Sequence, residues 1–524
     1  MPTPPVLPRI SDYVGLHAGA HPEREALVLG DARWSYGRLA DEVDRFAASL
    51  LRAGIRKGDR VAVMATPRPE CFLAFLAAAS IGGITLGLNP KFPLEELRYV
   101  VADAEPKLLL GFGRDAEGDH RDVLVQLARE HACLERTVVF DEAGAAGTLR
   151  FAAWLAEGEG IGRAVLEAAR AAVATLDPCL LVYTSGTTGR PKGAVLPHRA
   201  LSYCSSVQSE HWAAEPLRCL CNLPVNHIGF MGDISSYVLV AGGTNVFLEK
   251  FDPGGMLALI ERERLTGWGH VPTAFAYVLG LPDLRGRNFS SLQVVIWGGA
   301  SMPREMIEAV QRLTGARMAT SYGSTETGGS VTYTDPDAGL DVLAETVGRP
   351  DPRFEIRVVD ADGREVGVGV EGEIQVRGDH LMTGYWRRPE ATREAIDEKG
   401  WLHTGDVALL RPDGNVVLRG RLSEMYKSGG ENVYPREVES VLEQHPATAL
   451  AAVFGVPDPV YGEVGIAYVI RKPGTDPAPE DLRAFCRERL VNFKVPKRIE
   501  VRDALPMLPI GKVDKRALRR EAAR

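Results

Sequence analysis

From Cys71 to Leu88 the chain runs for 18 residues without a charged side chain. That length meets the threshold for a membrane span. The pattern inside it argues for something else. Gly82-Gly83, Ser80 and Thr85 break the apolar run, and Asn89-Pro90 closes it. The stretch reads as a buried helix from about Glu70, a Gly-Gly turn and a short inner strand, which requires a substantial core. At 524 residues the chain is long enough for two or more domains, and 45% hydrophobic with 25% charged residues is an ordinary globular balance.

The surrounding sequence alternates between two periods. Leu39, Val43, Phe46 and Leu50 recur at helical spacing, and Arg60-Val61-Ala62-Val63-Met64 reads as a strand. Similar alternation to about residue 330 predicts α/β layers with a largely parallel sheet. From about Glu345 to Arg419 the β-rich runs Glu355–Val359, Glu373–Arg377 and Val416–Leu418 are separated by Asp360-Ala361-Asp362-Gly363 and Pro412-Asp413-Gly414 turns. These predict a small antiparallel sheet or β-barrel. A boundary near Gly420-Arg421 would divide a large domain, 1–420, from a small α+β domain, 421–524. The latter is expected to hold helices at about Pro435–Glu443 and Glu480–Leu490 and strands at Ala451–Phe454 and Ile466–Ile470. Leu482, Phe485, Cys486 and Leu490 give the last helix its apolar face.

A net charge of −8 argues against nucleic acid or an anionic membrane as a main partner. The seven cysteines are odd in number and scattered, so a reducing cytosol fits better than a disulfide framework. Cys219-Leu220-Cys221 has no second Cys/His pair at metal-site spacing and reads as a buried strand. Met1-Pro2-Thr3-Pro4-Pro5 has no signal-peptide pattern, and the expected location is the cytoplasm.

The chemistry concentrates in Tyr183-Thr184-Ser185-Gly186-Thr187-Thr188-Gly189-Arg190-Pro191-Lys192-Gly193, which follows the apolar run Leu180-Leu181-Val182. Glycines let a backbone approach a polyphosphate closely, hydroxyls and N–H groups donate to its oxygens, and the lysine supplies charge. A Walker A loop is excluded, because Lys192 follows a proline and precedes Gly193.

Four further segments follow in order: Tyr322-Gly323-Ser324-Thr325-Glu326-Thr327, His403-Thr404-Gly405-Asp406, the run from Gly420-Arg421 to Glu439, and Pro506-Met507-Leu508-Pro509-Ile510-Gly511-Lys512. With these, nearly the whole chain resembles the adenylate-forming superfamily of acyl- and aryl-CoA synthetases, luciferases and peptide-synthetase adenylation domains. The resemblance implies attack of a carboxylate on the α-phosphate of ATP, then attack of a thiol on the acyl-adenylate. It places Thr184, Ser185, Gly186, Thr187, Thr188, Gly189 and Lys192 on the β- and γ-phosphates, and Thr325 at the α-phosphate. Glu326 would ligate Mg²⁺. Asp406 would accept from the ribose hydroxyls, with Arg421 beside it, and Tyr322 with the Gly299-Ala300 backbone would flank the adenine.

Lys512 is implied to bridge the carboxylate and the α-phosphate, which requires a mobile C-terminal domain to close and then swing away. The swing would present Lys427-Ser428-Gly429-Gly430, where Gly429 and Gly430 leave room for the pantetheine arm of coenzyme A. The hinge position, usually Asp or Lys in the family, is Ser423 here, and Glu424 comes one place late.

Leu223-Pro224-Val225-Asn226-His227-Ile228-Gly229-Phe230 matches the acyl-pocket segment, with His227 as a gate or else a core histidine. Trp297, Met231, Phe230 and Tyr237 read either as pocket lining or as core. Asp233 lies six residues past His227, which argues against an amino-acid substrate. Gly323 stands where acetate-specific relatives carry tryptophan, so the pocket is expected to exceed acetate or propionate. The resulting expectation is a ligase for a medium- or long-chain fatty or aryl carboxylic acid, using ATP, Mg²⁺ and coenzyme A. Alternatives are transfer to a carrier-protein thiol or to oxygen, and a silent ligand-binding protein on the same fold. Pro506 to Lys512 also resembles an acetylation site, which adds a lysine acetyltransferase acting on Lys512 to the partners expected; a homodimer is left open.

Overall fold

The computed structural model describes residues 4–141, 144–184, 190–284, 286–507 and 513–522. Pro69–Ser80 is a helix whose residues Cys71–Ser80 are all buried. It is followed by a turn with Gly82 at φ +80° and by the strand Ile84–Leu88. At ~1.5 Å per residue its 12 residues span ~18 Å, short of a ~30 Å bilayer core. Among the described residues no helix is long and apolar enough to cross a membrane. The helix is apolar on every side because it contacts strands of both large sheets and the helix Tyr36–Arg52. That second helix buries Leu39, Val43, Phe46 and Leu50, and Ser35 caps its start by accepting the Arg38 N–H at 3.2 Å.

Among the described residues one sheet has nine strands, from Arg349–Pro350 through Gly329–Tyr333, Arg317–Ser324, Val294–Trp297, Gly267–His270, Arg218–Cys221, Thr244–Phe247 and Glu25–Leu29 to Ala32–Ser35. Six of its inner strands, from Arg317–Ser324 to Glu25–Leu29, run parallel. The Cys219–Cys221 run is one of them and is buried, as the sequence predicts. A second sheet of eight strands includes Arg60–Met64, Ile84–Leu88, Pro178–Thr184 and Lys192–Pro197. The predicted small β unit is a four-stranded antiparallel sheet, ordered Glu355–Val359, Gly372–Arg377, Trp401–Leu410, Val416–Arg421.

After Arg421 the chain forms a separate five-stranded sheet covered by Pro435–Glu443 and Pro479–Arg487, with its own buried core around Val438, Leu442, Val453 and Val469. Leu482 and Cys486 face that core and Leu490 packs against it. Phe485 departs from the expected apolar face. It is only half-buried, edge-on to His445 at 5.0 Å and covered by the Arg489 guanidinium at 3.6 Å. The two aromatic and cationic contacts supply the cover that the core does not.

Candidate active site

Four parallel strands of the nine-stranded sheet end side by side. Register aligns His270 with Trp297, and Trp297 with Thr320. Beyond their carboxyl ends lie the Asn222–Phe230 segment, His270-Val271-Pro272, the Gly298–Ala300 turn and the Tyr322–Thr327 hairpin. The crevice outside the carboxyl ends of strands is where open α/β sheets bind ligands. Gly299, at φ +77°, makes the turn after Trp297. Ala300 is exposed beside it.

The ribose candidate is built by two sheets meeting. The Tyr322 hydroxyl donates to one Asp406 carboxylate oxygen at 2.7 Å, and Arg421 Nε donates to the other at 2.9 Å. Asp406 and Arg421 are cross-strand partners in the four-stranded sheet, so register alone sets that contact. Asp406 is buried, and each of its oxygens keeps further acceptor capacity for a ligand hydroxyl.

The phosphate candidate is equally a matter of register. Thr184 and Lys192 face each other across the antiparallel pair Pro178–Thr184 and Lys192–Pro197. Lys192 Nζ stands 5.0 Å above the Tyr385 ring, whose hydroxyl donates to Glu326 Oε1 at 3.0 Å. Burial pushes the Tyr385 phenol well above its ordinary range, so it stays protonated and keeps that bond. Tyr385 is a residue the sequence reading missed. It reaches the site by pairing with Ala194, which no local motif signals. Glu326 retains its second oxygen, and a single carboxylate completed by phosphate oxygens and water suits Mg²⁺. Thr325 is buried, and the Thr327 hydroxyl stiffens its hairpin by accepting the Ser324 N–H at 2.7 Å and donating to the Gly329 carbonyl at 2.7 Å. Ser185, Gly186, Thr187, Thr188, Gly189 and Lys512 lie outside the described residues.

At the expected acyl end the core reading of the aromatic residues holds. Phe230, Met231, Tyr237 and Trp297 are all sealed in the core. Phe230 packs toward Phe247 at 6.0 Å, and Tyr237 donates to the Trp212 carbonyl at 2.6 Å. His227 Nδ1 accepts the Gly229 N–H at 3.0 Å. The following residues, Gly229–Ser236, form a π-helix, a wide turn that often marks functional sites. A Cβ on Gly323 would stand 2.2 Å from the Gly329 carbonyl oxygen, so the close neighbouring strand by itself requires glycine there. The six-residue offset of Asp233 does not keep it from the site, because the π-helix brings its carboxylate against Gly329.

Residues 16–386 match the family described as AMP-binding enzyme, and 437–512 match the AMP-binding enzyme C-terminal domain. The chain belongs to the AMP-binding enzyme family. It is 35% identical over 500 residues to a feruloyl-CoA synthase of an Amycolatopsis species, covering 95% of this chain and 96% of that one. Its fold matches that of the amide bond synthetase McbA of Marinactinospora thermotolerans with a TM-score of 0.83, at 30% identity and over 98% and 99% of the two chains. The anthranilate CoA ligase AuaEII, solved with anthranoyl-AMP, gives a TM-score of 0.86 at 25% identity, over 100% and 98%. These findings bear out the family that the five motifs resemble.

In this AMP-binding enzyme Ser423 sits in an exposed turn between the four-stranded sheet and the C-terminal sheet. Glu424, beside it, is bound by Lys515, whose Nζ lies 2.9 Å from Glu424 and 2.7 Å from Glu439. Burial opposes the ammonium charge, and the two carboxylates outweigh it and hold its pKa above the ordinary value. Lys515 thus ties the start of the last helix to the residue after the expected hinge. The sequence reading missed it, although it lies three residues past Lys512. Gly429 and Gly430, at φ +62° and +89°, form the two-residue turn of the hairpin Tyr426–Ser428 and Glu431–Val433. That turn type needs positive φ at both positions, which accounts for both glycines without a pantetheine arm.

Proposed function

We propose that this enzyme activates a bulky carboxylic acid, aryl or medium- to long-chain, as its acyl-adenylate and then transfers the acyl group to coenzyme A. The observation that carries the reading is Asp406, held on one oxygen by Tyr322 and on the other by Arg421 at the carboxyl edge of the sheet. A carboxylate fixed in this way is preorganised for a ribose diol. In the first step the acid's oxygen attacks the α-phosphorus and pyrophosphate leaves. In the second the thiol sulfur attacks the acyl carbon, loses its proton, and AMP leaves. The first step brings two anions together, and Lys192 with Arg421 supplies positive charge near where it develops. Mg²⁺ bound at Glu326 would neutralise phosphate charge.

The domain division at 420/421, the swing about Ser423 and the bridging role of Lys512 belong to the same reading, as does silencing of adenylation by acetylation of Lys512. Likeness to CoA ligases supports coenzyme A as acceptor, and likeness to an amide bond synthetase supports a second reading in which an amine takes its place. The test is pyrophosphate and AMP release over benzoates, cinnamates and C4 to C16 fatty acids, with coenzyme A, with an amine, and with neither. Acyl-CoA formed in step with AMP supports the ligase. Amide formed with no acyl-CoA supports the second reading, and no pyrophosphate release from any acid overturns both.

A further inference from the structure

The π-helix Gly229–Ser236 crosses the carboxyl edge of the sheet. At one side Ile234 Cδ1 lies 3.0 Å from where a Cβ on Gly269 would stand. At the other, Asp233 Oδ1 lies 3.4 Å from the corresponding point on Gly329. Gly329 in turn abuts Gly323, two residues before Thr325. Asp233 therefore stands one residue layer away from the hairpin that carries Thr325 and Glu326, on the side where the acyl segment runs.

Its bonding is incomplete. A carboxylate can accept about four hydrogen bonds. Among the described residues Asp233 accepts one, from Gln208 Nε2 to Oδ1 at 3.1 Å, and it has no ion pair. Gln208 is itself buried and belongs to the helix His198–His211. The nearby Cys204 and Tyr333 offer no cation, and the Tyr333 hydroxyl is committed to the Ser330 carbonyl at 2.7 Å. Burial pushes the Asp233 carboxyl up to about 6, with the Gln208 amide opposing. At neutral pH it is mostly ionised, desolvated and poorly compensated, a costly arrangement unless something pairs with it. Asparagine would serve Gln208 equally well without the charge. The residue is also not sealed, being only partly buried, and its one hydrogen bond among the described residues is on Oδ1.

We propose that Asp233 reads a hydrogen-bond donor on the acyl group, so that the preferred acids carry a hydroxyl or amino group remote from the reacting carboxylate. This deepens the ligase reading and rests on it for the placement of the acyl group. An acid lacking the donor would leave the carboxylate unpaired in a site emptied of water, which is how such sites reject close analogues.

The test uses matched acids, benzoates and cinnamates with and without a ring hydroxyl or amino group, in the full-length enzyme. Hydrogen bonds to a charged partner make the donor-bearing member of a pair better by about 10- to 100-fold in kcat/KM. Asp233→Ala and Asp233→Leu are expected to collapse that ratio to within about threefold, through loss on the donor-bearing acid. Asp233→Asn, which preserves shape and the Gln208 contact, should give an intermediate ratio and guards against misfolding of the other two. Hydroxyl and amino series separate a neutral donor from a cationic one. Calorimetric binding of the matching acyl-sulfamoyl-adenosines provides the same ratio without turnover. If no acid is turned over, the ligase reading fails while the binding ratio still decides the role of Asp233. A ratio near one in the wild-type enzyme, or one unchanged in folded variants, overturns the proposal.

Discussion

At the nucleotide end of the site the Asp406 carboxylate has a partner on each oxygen, one of them a guanidinium. At the proposed acyl end Asp233 has, among the described residues, a single amide and no cation. The two aspartates differ in how the protein answers their charge. Asp406 is fixed in place before any ligand arrives, as suits the ribose-binding role proposed for it. Asp233 is left, among the described residues, with unused acceptor capacity, as suits the specificity role proposed for it. The general rule is testable in both directions. Removing a compensated charge should cost stability or rate, and removing an uncompensated one should help the free protein.

The largest effect is expected at Asp406. Asp406→Ala removes acceptors for two ribose hydroxyls and strands Arg421 and Tyr322. Two hydrogen bonds to a charged group are together worth about 3–6 kcal/mol, so kcat/KM for ATP in pyrophosphate release should fall at least ~100-fold. A loss under tenfold would mean the ribose lies elsewhere and would dissolve the comparison.

Lys515 extends the same rule to the C-terminal domain. Lys515→Met would leave Glu424 without its ammonium partner and Glu439 with Arg436 alone, at 3.5 Å. Breaking a fully buried pair from one side costs about 3–5 kcal/mol; partial exposure of Lys515 and Glu424 reduces that to ~1–2 kcal/mol, and hydrogen exchange should show the loss in Pro435–Glu443 and the final helix. If that helix keeps wild-type protection, the bridge contributes little and buried compensation is a poor guide here. Gly323→Ala is a steric counterpart with no charge involved. Its methyl would meet the Gly329 carbonyl, and overpacking of that kind costs about 1–3 kcal/mol, read as a lowered melting temperature. An unshifted Tm together with altered acid preference would restore Gly323 as a pocket wall rather than a packing requirement.

Much of this was legible in the sequence where the signal is local. The charge-free stretch at Cys71 gave its helix, turn and strand because periodicity and glycine act over a few residues. The motif residues Tyr322, Thr325, Glu326, Asp406 and Arg421 do gather at one sheet edge. What the sequence could not show depends on pairing between distant strands or on three-dimensional enclosure. Tyr385 reaches Glu326 through register with Ala194. Phe230 and Trp297, which read either as lining or as core, are sealed in the core because neighbouring layers close over them. The same enclosure makes Asp233 matter, since Gln208 lies 25 residues earlier and no spacing rule connects the two.

The smallest expected effect is the one whose sign is least intuitive. The Asp233 carboxyl is raised from an ordinary 3.8 to about 6 in the folded protein. The folded state therefore holds the proton more tightly than the unfolded state. Well below 3.8 the group is protonated in both states and contributes nothing. As pH rises through the interval between 3.8 and about 6, stability is lost, and above it the full cost stands. A shift of that size corresponds to about 3 kcal/mol at most, and partial exposure screens it to ~1–2 kcal/mol. Asp233→Asn should accordingly raise the melting temperature of the ligand-free enzyme at pH 8 and have an effect that fades as pH falls toward about 3. A variant that is less stable at pH 8 would show that Asp233 already has a partner in the free protein, and the contrast with Asp406 would then vanish.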